Sequence, residues 1–174
     1  MEGVMIMTNI PGEIPVLGVV EDSVVDGDGL RFTLFVQGCP HHCKGCHNPQ
    51  SWAMKRDHLV PLQKIYDAVV ENPMWDGITF SGGEPFLYAK ELAPLAKALR
   101  EKGKSVWSFS GWTYEELTQR EDARELLENI DVLVDGRFEI AQKDISLMFR
   151  GSRNQRVIDM NATLCGEGIV KKYA

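Results

Sequence analysis

The chain has 174 residues, 44% of them hydrophobic and 25% charged, with a formal net charge of −6; this is the balance of one globular domain, and it excludes a disordered or fibrous chain. That charge leaves no broad basic surface for phosphate backbones, so nucleic acid is not expected as a partner. No apolar run approaches a membrane span and the opening MEGVMIMTNIPGEIPVLG lacks a basic n-region, while three of the four cysteines fall within eight residues; a cytoplasmic protein without membrane attachment is expected.

Residues 1 to about 29 are rich in turn formers and end in Asp26-Gly27-Asp28-Gly29, so 1–23 is expected to be an irregular or hairpin-like lead-in to a single domain over 24–174. Arg31 to Val36 is a β-branched and aromatic run that predicts a strand. A loop holding the first cysteines follows, kept irregular by Pro40, Gly45 and Pro49. Pro61 opens a predicted helix whose Leu62, Ile65, Tyr66, Val69 and Val70 share one face. A short strand over Gly77–Phe80 leads into Ser81-Gly82-Gly83-Glu84-Pro85, and a second amphipathic helix carries Leu92, Leu95, Ala96 and Leu99 until Gly103 stops it. Ser105–Phe109 predicts strand. Thr113 and Glu116 form a capping-box pattern opening a helical stretch through Glu115–Asn129, and Ile130–Val134 returns to strand. From Asp135 onward no clear period is visible. Alternating strands and helices imply an α/β domain with a parallel sheet, whose chemistry belongs at the strand carboxyl ends. The length is too short for a complete eightfold barrel.

Cys39, Cys43 and Cys46 stand in a CxxxCxxC run, an unequal trio that suits one metal site better than paired disulfides. Three readings follow from the residues, the plainest being buried thiols, against which the polar neighbours His41, His42 and Lys44 speak. Completed by His41, His42 or His47, the trio would make a closed Cys3His zinc site and the chain a zinc-binding interaction module. Left at three thiolates, it would hold a 4Fe-4S cluster with one iron open to a ligand that is not protein. Gly82 and Gly83 lack side chains and can let backbone approach a ligand, and Glu84 can accept a hydrogen bond from an ammonium group.

The CxxxCxxC segment after a strand resembles that of radical S-adenosylmethionine enzymes, and the CHN ending Cys46-His47-Asn48 resembles the activases of glycyl-radical enzymes. Val106–Trp112, Asp131–Phe138 and Leu147–Arg156 are similar to successive blocks of the activases of anaerobic ribonucleoside-triphosphate reductase, so that the resemblance covers roughly Val24 to Ile158. It implies an incomplete TIM-like βα barrel, a 4Fe-4S cluster on Cys39, Cys43 and Cys46, and S-adenosylmethionine contacts from Gly45, Cys46, His47, Gly82, Gly83 and Glu84. The implied oxidoreductase chemistry is reductive cleavage of S-adenosylmethionine to a 5'-deoxyadenosyl radical, which takes hydrogen from a reductase glycine. No catalytic side chain is implied beyond the cluster and cofactor. The implied partners are the reductase and a reduced flavodoxin-like or ferredoxin-like electron donor; activation of another glycyl-radical enzyme, such as pyruvate formate-lyase, is the alternative. Many superfamily members carry an aromatic residue before the third cysteine to lie against adenine, and here that residue is Gly45.

The remaining conspicuous residues have plainer expectations. Trp107 and Trp112 are expected as core or rim aromatics, His58 at the surface, and Cys165 as a spare thiol. Asp135 is expected either to face the cofactor or to form a turn. Arg150 is expected to meet the cofactor carboxylate or a protein partner, or to join Arg153 and Arg156 on a solvated or ion-paired face.

Overall fold

The computed structural model describes residues 7–166 and 168–174. Eight strands, β1 (Glu13–Ser23), β2 (Arg31–Val36), β3 (Leu59–Pro61), β4 (Gly77–Gly82), β5 (Ser105–Ser110), β6 (Val132–Asp135), β7 (Arg156–Asp159) and β8 (Lys171–Tyr173), form one sheet in the order β3-β1-β2-β4-β5-β6-β7-β8. The central four, β2, β4, β5 and β6, are parallel, as the alternating pattern predicts. Both flanks are antiparallel, which the parallel-sheet expectation did not include. On one flank the lead-in supplies β1, a hairpin partner of β2; its first six residues lie outside the described ones. On the other, the tail that showed no period supplies β7 and β8 around the short helix α5 described below.

The helices are α1 (Leu62–Glu71), α2 (Ala89–Glu101), α3 (Tyr114–Thr118), α4 (Arg124–Glu128) and α5 (Met160–Cys165). Leu62, Ile65, Tyr66 and Val69 of α1 and Leu92, Leu95, Ala96 and Leu99 of α2 are buried in one core with Leu34, Ile78, Phe80 and Val106 from the sheet. Each large aliphatic side chain so buried stabilises the fold by roughly 1.5–3 kcal/mol before entropy is counted. Gly103, at φ +77°, ends α2 in the left-handed conformation a side chain would resist. The predicted 115–129 helix is broken: α3 has the expected Thr113–Glu116 capping box, but its last turn gives way at Gln119 and α4 starts at Arg124. At the break Arg120 bonds Asp122 and lies 4.1 Å above the Trp112 ring, contacts that a continuous helix would have to rearrange.

Arg31 closes the sheet at the amino-terminal ends of the parallel strands. It is fully buried, donating to the hydroxyls of Thr79 and Ser105 and to the carbonyls of Asp28, Ile78 and Ser105, with Trp107 beside it at 5.5 Å. Burial pushes its guanidinium down to about 10, against the nearby Asp28 charge, so it stays charged at neutral pH.

Candidate iron–sulfur and cofactor site

At the opposite, carboxyl-terminal end of the parallel strands the loops surround a cavity of about 390 Å³, lined among others by Cys39, Cys43, Cys46, His47, Gly82 and Gly83. The cysteine loop leaves β2 through Gly38, at φ +104°, and is tied back by Gly38 N–H to the Ser51 carbonyl (2.7 Å) and Cys39 N–H to that of Trp52 (3.4 Å). His42, itself at φ +47°, stacks on Trp52 with ring centroids 4.8 Å apart.

All three loop cysteines are free thiols, half-buried, and each sulfur faces a main-chain amide. His41 and His42 N–H groups point at Cys39, Phe138 N–H at Cys43, and Asn48 N–H at Cys46 (3.3 Å). Burial pushes the Cys39 thiol up to about 11 and the Cys43 thiol upward, the amides opposing it in both. Amide donors aimed at sulfur stabilise a thiolate and tune the potential of a cluster bound to it. This donor set therefore fits an iron–sulfur cluster.

It fits a lone zinc less well. A closed zinc site would need a fourth ligand beside the three thiolates. The histidines are also engaged: His41 with Glu84 (2.7 Å), His42 with Trp52, and His47 with the Phe138 ring.

Gly82 and Gly83 line the cavity as the sequence suggests, yet their lack of a Cβ is already required by the protein. A Cβ at Gly82 would stand 2.7 Å from the Phe35 Cα, and one at Gly83 2.2 Å from the Gly38 carbonyl oxygen. The two strand ends approach this closely because Gly83 N–H bonds the Val36 carbonyl and Glu84 N–H that of Gly38.

Glu84 also has a part within the fold. Its side chain is fully buried, with Oε1 accepting from Phe86 N–H (3.0 Å) and Oε2 from His41 Nε2 (2.7 Å), Gly111 N–H (2.8 Å) and Ser110 Oγ (3.1 Å). Protein donors thus surround the carboxylate from which the resemblance implies a cofactor contact, three of them on Oε2 and one on Oε1. A carboxylate only accepts, so the proton between it and His41 sits on Nε2. The sequence offered His41 only as a zinc ligand and did not point to the Ser110-Gly111 turn, although Ser-Gly directly after a predicted strand marks such a turn.

The other conspicuous residues fall where packing sends them. Trp107 is buried, and Trp112 is half-buried against His41 and Arg120. His58 is exposed and bonds the Val16 carbonyl. Asp135, buried at the end of β6, accepts from Tyr114 N–H and from Arg156, so it fixes a turn and an ion pair. Arg153 pairs with Asp144, whereas Arg150 lines the cavity with its Nε buried and unpartnered. Cys165 is exposed at the end of α5 and is not part of the cavity lining.

A thiol trio held by amides at the carboxyl end of a parallel βα sheet defines a single-cluster iron–sulfur protein, and residues 25–158 match the family model described as a 4Fe-4S single cluster domain. The fold is similar to QueE from Escherichia coli, with a TM-score of 0.51 at 17% identity over 58% of this chain and 54% of that one. Anaerobic ribonucleoside-triphosphate reductase-activating proteins are similar at the level of sequence: that of Haemophilus influenzae is 39% identical over 76% of this chain and 89% of its own, that of Vibrio cholerae 40% over 76% and 89%, and that of Escherichia coli K12 35% over 77% and 91%. The chain belongs to this family of activating proteins.

Proposed function

We propose that the chain activates an anaerobic ribonucleoside-triphosphate reductase, holding a 4Fe-4S cluster through Cys39, Cys43 and Cys46 and S-adenosylmethionine in the adjoining cavity. The observation that carries this is the amide-supported thiol trio opening on the Gly82-Gly83 backbone, in a chain of this family. The bound cluster and cofactor supply reductive carbon–sulfur cleavage, whose 5'-deoxyadenosyl radical takes hydrogen from a glycine of the reductase and leaves a glycyl radical there.

The chain's own residues bind, orient and seal. Cys39, Cys43 and Cys46 would hold the cluster by three thiolates, a set that would leave room for a ligand that is not protein. Gly82 and Gly83 present main chain to the methionine end, and Gly45, Cys46 and His47 border the adenosine end. Glu84 contributes from behind, by locking the cysteine loop to the turns after β4 and β5. Phe35, Phe109 and Phe149 add apolar walls, which exclude water from a radical intermediate. The electron donor is a reduced flavodoxin-like or ferredoxin-like protein. No helix among the described residues is long and apolar enough to cross a membrane, and the exposed thiol Cys165 suits a reducing cytoplasm.

Anaerobic reconstitution with iron and sulfide, followed by S-adenosylmethionine, reductant and reductase, tests the reading. It predicts a 4Fe-4S signal, 5'-deoxyadenosine and a glycyl radical on the reductase by electron paramagnetic resonance. A colourless protein carrying one zinc, or a glycyl signal on pyruvate formate-lyase and none on the reductase, overturns it.

A further inference from the structure

Position 45 has no side chain, yet the space over the cysteine loop is filled. A Cβ at Gly45 would stand 2.8 Å from Ile140 Cδ1 and 3.4 Å from Phe138 Cε1, and Gly45 also has φ +80°. A residue from beyond β6 therefore crosses above the third-cysteine turn, where a larger residue at 45 would collide with it. Phe138 lies between three parts of the site. Its amide faces the Cys43 sulfur, its ring centroid is 5.5 Å from that of His47, and its Cδ2 would be 3.0 Å from a Cβ at Gly151.

The segment carrying Phe138 is held on both sides. Gln155 donates to the Gly136 carbonyl (2.9 Å), Asn154 to that of Arg137 (2.7 Å), and Glu139 N–H to the buried Ser152 hydroxyl (3.1 Å). An aromatic ring on so constrained a segment loses little freedom when a flat ligand stacks on it. Of the other phenylalanines in the cavity wall, Phe109 and Phe149 pack on the Trp107 group. Phe35 belongs to β2 and lies under Gly82, so of these four phenylalanines Phe138 is the one set against the third-cysteine turn.

We infer that Phe138 is the platform on which the adenine of S-adenosylmethionine stacks, taking the place of the side chain that Gly45 lacks. The inference rests on the function proposed above. The ligand's two ends differ in kind: a zwitterionic methionine, suited to iron and main chain, and a purine with apolar faces. Phe138, which lines the cavity beside His47, offers such a purine an apolar aromatic face. On the same wall the unpartnered Arg150 Nε offers a donor to a ligand whose ring nitrogens are acceptors.

Equilibrium dialysis of reconstituted, oxidised protein under anaerobic conditions tests this without turnover. Phe138→Leu keeps an apolar side chain over Gly45 and removes the π face. It is expected to bind S-adenosylmethionine on the order of tenfold more weakly, in the range that base–aromatic stacking supplies, with iron content unchanged. Phe138→Trp is expected to restore affinity, and methionine alone to bind all three proteins equally. The inference is overturned by wild-type affinity in Phe138→Leu, or by an equal loss for methionine, which would make the ring a mere support of the loop. Failure of the wild-type protein itself to bind S-adenosylmethionine would instead remove the proposed function.

Discussion

Replacing Glu84 by alanine separates a carboxylate that serves the cofactor from one that serves the fold. The substitution leaves the N–H groups of Phe86 and Gly111, the Ser110 hydroxyl and His41 Nε2 without their acceptor in a site closed to water. A single buried donor left unpaired costs about 1–3 kcal/mol, and four donors lose their acceptor here. A loss of about 4 kcal/mol is therefore expected, less than the sum of the separate contacts because the loops relax. At a urea slope near 2 kcal/mol per molar, the unfolding midpoint should fall by about 2 M. Glu84→Gln keeps one acceptor oxygen but turns an amide NH2 toward either Phe86 N–H or the Oε2 donors, so about 1–3 kcal/mol is expected. Urea unfolding of the metal-free protein, followed by tryptophan fluorescence, reads the fold apart from the cluster. An unchanged midpoint for Glu84→Ala, together with weakened S-adenosylmethionine binding, would refute the reasoning and return the carboxylate to the cofactor.

Four further outcomes are expected. Cys43→Ala should retain no 4Fe-4S cluster after reconstitution, as measured by iron and sulfide content, and 5'-deoxyadenosine formation by that variant would contradict the assigned ligands. Gly83→Ala puts a methyl group 2.2 Å from the Gly38 oxygen, which should cost about 1–3 kcal/mol as overpacking; a thermal melt matching the wild type would show that the strand ends can part freely. Arg31→Met strips donors from the Thr79 and Ser105 hydroxyls and from three carbonyls. A loss of about 3 kcal/mol from this change lowers Tm by roughly 6–12 °C, to be checked by calorimetry. The Arg156 hydrogen bonds hold the Glu115 carboxyl down to about 2. Because its folded value is depressed, the pair stabilises the protein above the ordinary carboxylate range and fades as pH falls from about 4.5 to about 2; exposure of Glu115 keeps the amount small. Carboxyl NMR shifts should follow that curve in the wild type and move up in Arg156→Gln.

The residues with local rules were the legible ones. Hydrophobic spacing gave the buried faces of α1 and α2, Thr113 and Glu116 gave a helix start, and the turn formers around the cysteines gave a loop at a strand end. Glu84 shows where legibility stops. Its motif was visible, but its direction depends on His41, 43 residues away, and on Ser110, 26 residues away. Phe138 was hidden for the same reason, because its contacts to Gly45 and His47 exist only once β6 has taken its place beside β5. The tail was opaque because β7 has four residues and β8 three, too few for alternation to register, and both depend on cross-strand pairing. The break between α3 and α4 rests on Arg120 meeting Trp112 and Asp122, a choice that helix propensity does not record.

Arg31 has a consequence for traffic through the molecule. With its hydrogen bonds satisfied between β2, β4 and β5 and the Trp107 ring alongside, it stoppers the sheet at the end away from the thiols. That end is thus filled by protein, and the cavity with its thiols lies at the strand carboxyl ends, where cofactor and the target glycine would meet. A reductase segment docked at the carboxyl-terminal end would cover the cavity mouth, making partner binding and the sheltering of a radical the same event.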